Sequence, residues 1–240
     1  QDRVASVNTL TRGVTISAFV VQPGGTFTTA RPLIVDYPST NYGVINLTNS
    51  TFVAQDGLTA GGDTHGSLVN EPGGIINLSG NSTLLSESYF INQGTMMALN
   101  GTNSVQGFTF IGSQGALTNE SGNISVSLFE TNVTGVFYAA AGATTQFIGA
   151  DEANAQSTAQ ITLDPAMVLG GAGTYQLISG YLYLSSNVPT NLQLMCDTVT
   201  LGPDFQGGTI TNLVFSSRLS STQNAQENLL NTLPVTGTFV

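Results

Sequence analysis

The chain has 240 residues, 8% of them charged and 40% hydrophobic, and a formal charge of −10, with no Lys and only Arg3, Arg12, Arg31 and Arg218 as cations. An average soluble protein is roughly 25% charged, so this surface has to be built from Ser, Thr, Asn, Gln and Gly, a set that suits strands and turns better than helices. The same balance excludes nucleic acid and anionic lipid as partners, because phosphates need clustered positive charge, and it repels an anionic glycan at long range.

A single all-β domain accounts for a chain of this length. Cys196 is alone, so no intrachain disulfide forms, and its surroundings, QLMCDTVTL, alternate like a strand. No apolar run reaches the ~18 residues of a membrane span; the longest candidate is VFYAAAGA from Val136. The chain begins at Gln1 without a Met or a signal-peptide pattern, which fits a processed, secreted product.

In chain order, VTISAFVV and TFTTA form extended segments around QPGG, and the reading for residues 1–36 is an N-terminal arm with an opening strand. From Asn41 to about Phe147 a unit recurs. GVINLTNSTFVA from Gly43 lies against GIINLSGNSTLL from Gly74, which matches Asn46 with Asn77 and Leu47 with Leu78. Asn70, Asn92 and Asn119 each stand shortly before a Gly, at intervals of 22 and 27 residues, within the range of stacked repeats.

This pattern predicts a right-handed parallel β-helix, a solenoid whose coils bury their apolar faces only against their neighbours. Its body spans 37–220 and its ends are extended arms. The predicted inward residues are Val44, Ile75, Leu78, Leu84, Phe90, Met97, Leu99, Phe110, Ile124, Val126 and Phe137. DEANAQSTAQ from Asp151 is a loop or helix-tolerant stretch, STQNAQENLLN from Ser221 suits a short helix, and 221–240 ends as an extended tail. A β-sandwich or jelly roll is the competing architecture, since short strands between frequent turns describe it as well.

Eight Asn-x-Ser/Thr acceptor patterns, at Asn46, Asn49, Asn77, Asn81, Asn100, Asn119, Asn123 and Asn132, are confined to one block of the chain. Asn46 and Asn77 occupy equivalent places, so glycans there would form a longitudinal row. The alternative is a corner ladder of asparagines whose amides bond along the stack. His65, the one histidine, sits in GGDTHG with Asp63, a pair too small for a metal site. Glu71 and Glu120 follow Asn70 and Asn119, and as paired carboxylates on one edge they are the enzyme-like feature of the chain. The absence of Trp and Lys weighs against a carbohydrate-cleaving site, and no catalytic residue, cofactor or metal is expected.

Leu233 to Gly237 spells LPVTG, the pentapeptide cut by sortases, but only Thr238, Phe239 and Val240 follow, without an apolar segment or basic tail. The tail reads better as a strand that adds to a sheet edge, with Leu233, Val235 and Phe239 as its apolar side chains.

The unit in NQGTMMALNG from Asn92 and in NESGNISVS from Asn119 resembles the repeats of right-handed β-helix surface proteins. These are the passengers of bacterial autotransporters and filamentous adhesins and the N-terminal domains of fungal cell-wall adhesins. The resemblance covers about the middle half of the chain and carries over no functional residue. It implies an extracellular, non-enzymatic protein with a long, polar, glycosylated surface. The expected function is a structural subunit that assembles with itself into a fibre or surface layer through strand or end-to-end contacts. The alternatives are a monomeric adhesin for a glycan or host protein and a polysaccharide-degrading β-helix enzyme.

Overall fold

The computed structural model describes residues 2–4, 8–10, 14–59, 62–111, 114–128, 132–133, 135–149, 160–163, 167–179, 181–184, 192–194, 198–201, 210–211 and 235–236. Every described element is a strand, and all strand pairs but one are parallel. Sandwiches and jelly rolls are antiparallel, so the parallel solenoid is the architecture.

The chain repeats three strands per coil. The first face is an eight-stranded sheet: Asn8–Leu10, Thr26–Thr29, Val44–Thr48, Ile75–Ser79, Thr95–Ala98, Ala116–Asn119, Val136–Ala139 and Val168–Gly171, each paired with the next. The second face runs through Val14–Ile16, Leu33–Val35, Thr51–Ala54 and Thr83–Ser86, and on to Thr144–Gly149, Thr174–Ser179 and Leu192–Leu194. The third face stacks Asp2–Val4, Phe19–Val21, Ser39–Asn41 and Ser67–Asn70 onto the end of Thr83–Asn92. That ten-residue strand serves both faces through a register shift between Ser86 and Phe90. Farther along the chain a four-stranded sheet, Asn132–Val133, Gln160–Leu163, Tyr181–Leu184 and Thr198–Leu201, takes the third place in the order of each coil.

Register on the first face aligns Thr26, Val44, Ile75, Thr95, Ala116, Val136 and Val168, so the coils measure 18, 31, 20, 21, 20 and 32 residues. The 31-residue coil is long because an antiparallel hairpin, Asp56–Thr59 against Gly62–His65, is inserted between the second and third faces. The Gly66 N–H closes its base on the Gln55 carbonyl at 3.1 Å.

Inside the coils, in-register side chains stack into columns. One first-face column is Ile45, Ile76, Met96, Leu117 and Phe137. A second-face column is Leu33, Phe52, Leu84, Val105, Val126, Phe147 and Leu177. Aromatic groups fill both ends of this core. Phe19 lies 5.5 Å from Phe27 and 5.9 Å from Phe52, and Phe147 lies 5.2 Å from Phe137 and 6.4 Å from Tyr175.

The expected inward set is right for Leu78, Leu84, Phe90, Ile124, Val126 and Phe137. Val44, Ile75, Met97 and Leu99 point the other way, and the inward residues are their neighbours Ile45, Ile76, Met96 and Ala98. Doubled apolar pairs (VI, II, MM) hide the phase of a two-residue alternation, and a slip of one residue inverts every side chain. Ile75 and Leu78, three apart, cannot share a side. Phe110 lies outside the residues whose side chains are described.

The expected N-terminal arm is also different: strands within 2–35 pair in parallel with the strands of the following coils and belong to the same stack. At the other end, Val235 and Thr236 pair with Ile210 and Thr211 of the same chain. Of the helix-tolerant stretches at 151–160 and 221–231, only Gln160 is described, and it opens the strand Gln160–Leu163.

Candidate functional site

The chemistry-bearing side chains of this protein are amides, and two corners of the coil organise them. At the corner from the third to the first face, Asn41, Asn70 and Asn92 end consecutive third-face strands in register. All three are fully buried. Asn41 Nδ2 donates to Asn70 Oδ1 at 2.7 Å, and Asn70 Nδ2 donates to Asn92 Oδ1 at 2.7 Å. The spare amide protons reach main-chain carbonyls: Asn41 to Ile75, Asn70 to Gly74 and Thr95, and Asn92 to Ala116. These bonds tie the buried amides to the main chain on either side of the turn, so the polar atoms enclosed there are paired. Gly43, Gly74 and Gly94 follow it because a Cβ there would run into carbonyl oxygens of the preceding coil or of the turn.

At the corner from the first to the second face the same residue types sit outside. Asn49 (φ 46°), Gly80 (71°), Gly101 (81°) and Gly122 (79°) occupy the left-handed region coil after coil, which Gly and Asn tolerate best. Asn49 Oδ1 accepts from the Asn81 N–H at 3.2 Å, Asn81 Oδ1 from the Thr102 N–H at 3.3 Å, and Asn100 Oδ1 from the Gly80 N–H at 2.8 Å. Asn49, Asn81, Asn100 and Asn123 are exposed.

The eight acceptor candidates therefore divide. Asn46 and Asn77 lie on the outer side of the first face, as expected, but they form a ladder: Asn77 Nδ2 donates to Asn46 Oδ1 at 2.8 Å, and Asn46 Nδ2 to Thr28 Oγ1 at 3.1 Å. Asn119 is fully buried in an inward column with Leu78, Ala98 and Ala139. Its Nδ2 donates to the Thr144 carbonyl at 2.9 Å, while its Oδ1 is buried without a partner. Asn132 stands in a described strand, but its side chain is outside the description, as are Leu233 and Phe239 of the tail.

Asn119 and Asn70 are not equivalent. Asn70 closes the third face and Asn119 the first, so Glu71 and Glu120 belong to different corners and do not form one acidic edge. His65 faces Asp56 across the hairpin backbone and Asp63 faces Leu58. Among the described residues no group of three or more His, Cys, Asp or Glu side chains comes together, and no helix is long and apolar enough to cross a membrane.

Two surface features went unnoticed in the sequence. An outer ladder on the second face runs Ser125, Gln146, Gln176 and Gln193, with Gln146 Nε2 to Gln176 Oε1 at 3.0 Å and Gln176 Nε2 to Gln193 Oε1 at 2.9 Å. Its signal is the third-place Gln of TTQF, TYQL and NLQL. The other is apolar: Val136, Tyr138 and Val168 are 47%, 46% and 51% exposed on adjacent first-face strands. Beneath this patch, burial pushes the Tyr175 phenol up to about 12, against the smaller opposing effect of main-chain hydrogen bonds. Its hydroxyl donates to the Gly170 carbonyl at 2.7 Å.

Compared with protein-family models, with curated proteins and with solved structures, the chain matches none.

Proposed function

We propose that this protein is a secreted or cell-surface structural subunit that assembles with copies of itself into a fibre or layer, the role that the likeness of its repeats to β-helix surface proteins suggests. The observation that carries this reading is the first-face sheet. None of its eight strands, from Asn8–Leu10 to Val168–Gly171, contains a charged residue or a proline. Proteins that need to stay apart place charge or proline at such edges. Among the described residues, Asn8–Leu10 and Val168–Gly171 each pair on one side only. Head-to-tail addition of one edge to the other is a heterologous contact that propagates without closing.

Electron microscopy and light scattering of the purified chain test this. Filaments or growing particles are expected from the native sequence, and V168K combined with G170K, both on the outer side of the edge strand, should abolish them with the β-sheet circular dichroism unchanged. A native chain that stays a monodisperse monomer at high concentration overturns the reading.

A second reading, a monomeric adhesin, has one observation in its favour. Tyr138 lies beside Gly170, whose missing side chain leaves the ring uncovered, and uncovered aromatic rings suit the apolar faces of sugars. Saturable glycan binding lost in Y138A without any assembly would favour it.

A further inference from the structure

The acceptor asparagines differ in what their amide nitrogens are doing, and that difference assigns a modification edge. N-glycosylation forms a bond between Nδ2 and the anomeric carbon of a sugar. The bond from that carbon to the pyrophosphate of an isoprenoid-linked donor breaks, the pyrophosphate leaves with the electron pair, and one Nδ2 proton passes to a base. The product keeps its Oδ1 acceptor but has only one N–H and a bulky substituent on the nitrogen. A folded protein tolerates it only where Nδ2 faces solvent.

We propose that the corner between the first and second faces is the N-glycan edge of this protein, and that Asn49, Asn81, Asn100 and Asn123 are its acceptors. Each belongs to an Asn-x-Ser/Thr pattern completed by Thr51, Thr83, Thr102 or Ser125. All four are exposed and lie on four consecutive coils, with Asn49 and Asn81 each two residues before the paired Thr51 and Thr83, and Thr102 paired with Asn123. In Asn49, Asn81 and Asn100 the side-chain hydrogen bonds to the neighbouring coil use Oδ1 alone. These bonds orient the amide and survive the modification. Asn123 makes its contact to the stack through its main-chain N–H, which donates to the Gly101 carbonyl at 2.8 Å.

The other described candidates are spent. Asn77 and Asn46 use Nδ2 in the first-face ladder, and the bulky substituent on Asn77 Nδ2 would crowd the Asn46 amide to which that nitrogen donates. Asn119 has no room at all, since it lies in the core with Nδ2 on the Thr144 carbonyl. Because coils are spaced by about 4.8 Å, sugars on this edge would run as a ridge along the solenoid, beside the polar second face and away from the buried amides.

This inference rests on the secreted half of the proposed function. The test is secretion of the native chain behind a leader from a glycosylating eukaryotic host, followed by glycopeptide mass spectrometry of the folded, protease-resistant fraction. Sugar is expected on Asn49, Asn81, Asn100 or Asn123 and not on Asn77 or Asn119. As a second measurement, T51A, T83A, T102A and S125A, singly, should each remove only the mass of its own site. Sugar on Asn77 or Asn119 in the folded fraction, or a folded secreted chain with all four edge sites bare, overturns the proposal. Light scattering of the same samples reads assembly separately: glycans on the edge without assembly would fail the assembly reading alone.

Discussion

The two amide corners solve one steric problem in opposite ways. From the third to the first face, asparagine is inside: Asn41, Asn70 and Asn92 are buried and spend their nitrogens on each other and on carbonyls of the coil above. Gly74 and Gly94 are needed there for room, because a Cβ at either would meet carbonyl oxygens, while Gly24 and Gly73 of the same corner supply left-handed backbone angles. From the first to the second face asparagine is outside, and the glycines are needed for backbone angle as well as room, with Gly101 at φ 81° and Gly122 at φ 79° and a Cβ at either meeting a carbonyl of the preceding coil. One corner therefore contributes stability through buried hydrogen bonds, while the other contributes geometry and leaves its amide nitrogens at the surface.

The largest effect should come from the outer corner. In Gly101→Ala, the left-handed angle costs roughly 1–2 kcal/mol by itself, and the new Cβ overlaps the main-chain carbonyl oxygen of Gly80. A total of about 4 kcal/mol is expected, of the size that follows when strain and overpacking act together, or about 10 °C in Tm for a chain of this length. Thermal unfolding followed by circular dichroism reads it, and a loss under 1 °C would show that this corner yields easily.

Asn70→Leu breaks the inner ladder at its centre. It leaves Asn92 Oδ1 without its donor and removes an acceptor from Asn41, while Leu fills about the same volume. Each buried amide stranded this way costs roughly 1–3 kcal/mol, so about 3 kcal/mol in all is expected from urea denaturation. The matching change outside, Asn81→Leu, removes one exposed bond and should cost under about 1 kcal/mol. Equal losses at the two positions would erase the distinction between the corners.

These corners also mark how far the sequence could be read. The repeat was visible because parallel coils align identical residues: Asn46 and Asn77 pair in register, as their matched segments suggested. The strand phase was not, because Val44-Ile45, Ile75-Ile76 and Met96-Met97 offer two apolar residues where one turns inward. Asn92 and Asn119 looked like one step of the repeat, yet the register partner of Asn92 is Ile111 and that of Asn119 is Ala98. An Asn before a Gly signals a corner but not which corner, since both a buried ladder and a left-handed turn select it. The inserted hairpin hid the period further by lengthening one coil from about 20 residues to 31.

At the last described outer corner, Tyr175 does part of the work that asparagine does elsewhere, its hydroxyl donating to the Gly170 carbonyl just before the left-handed Gly171. Because burial holds the phenol neutral, its pKa rises from 10.0 to about 12 on folding. The folded chain then keeps a proton that the unfolded chain releases, so this contribution is present in full below pH 10 and is lost as pH rises towards and through 12. Y175F removes the ionisable group and one hydrogen bond, a cost of about 1 kcal/mol at neutral pH. Stability measured from pH 9 to 12 should fall less steeply in Y175F than in the native chain, and parallel curves would place the phenol in contact with water.

The smallest effect separates backbone from side chain at the outer corner. Asn49 is the only described non-glycine residue with positive φ, and among the described residues the next three coils have Gly80, Gly101 and Gly122 at that corner. Asn49→Gly removes the 3.2 Å bond to the Asn81 N–H, which is exposed and can take water instead, and it relieves what left-handed strain Asn retains. The two effects offset, so the change in stability should stay within about 0.5 kcal/mol. Asn49→Val keeps a side chain but places a β-branched residue at φ 46°, where strain of roughly 1–2 kcal/mol has no compensation. A loss from Gly as large as that from Val would mean that the side-chain bond, not the backbone angle, holds this corner. The exposed amides of the edge would then be structural, as the buried ones are.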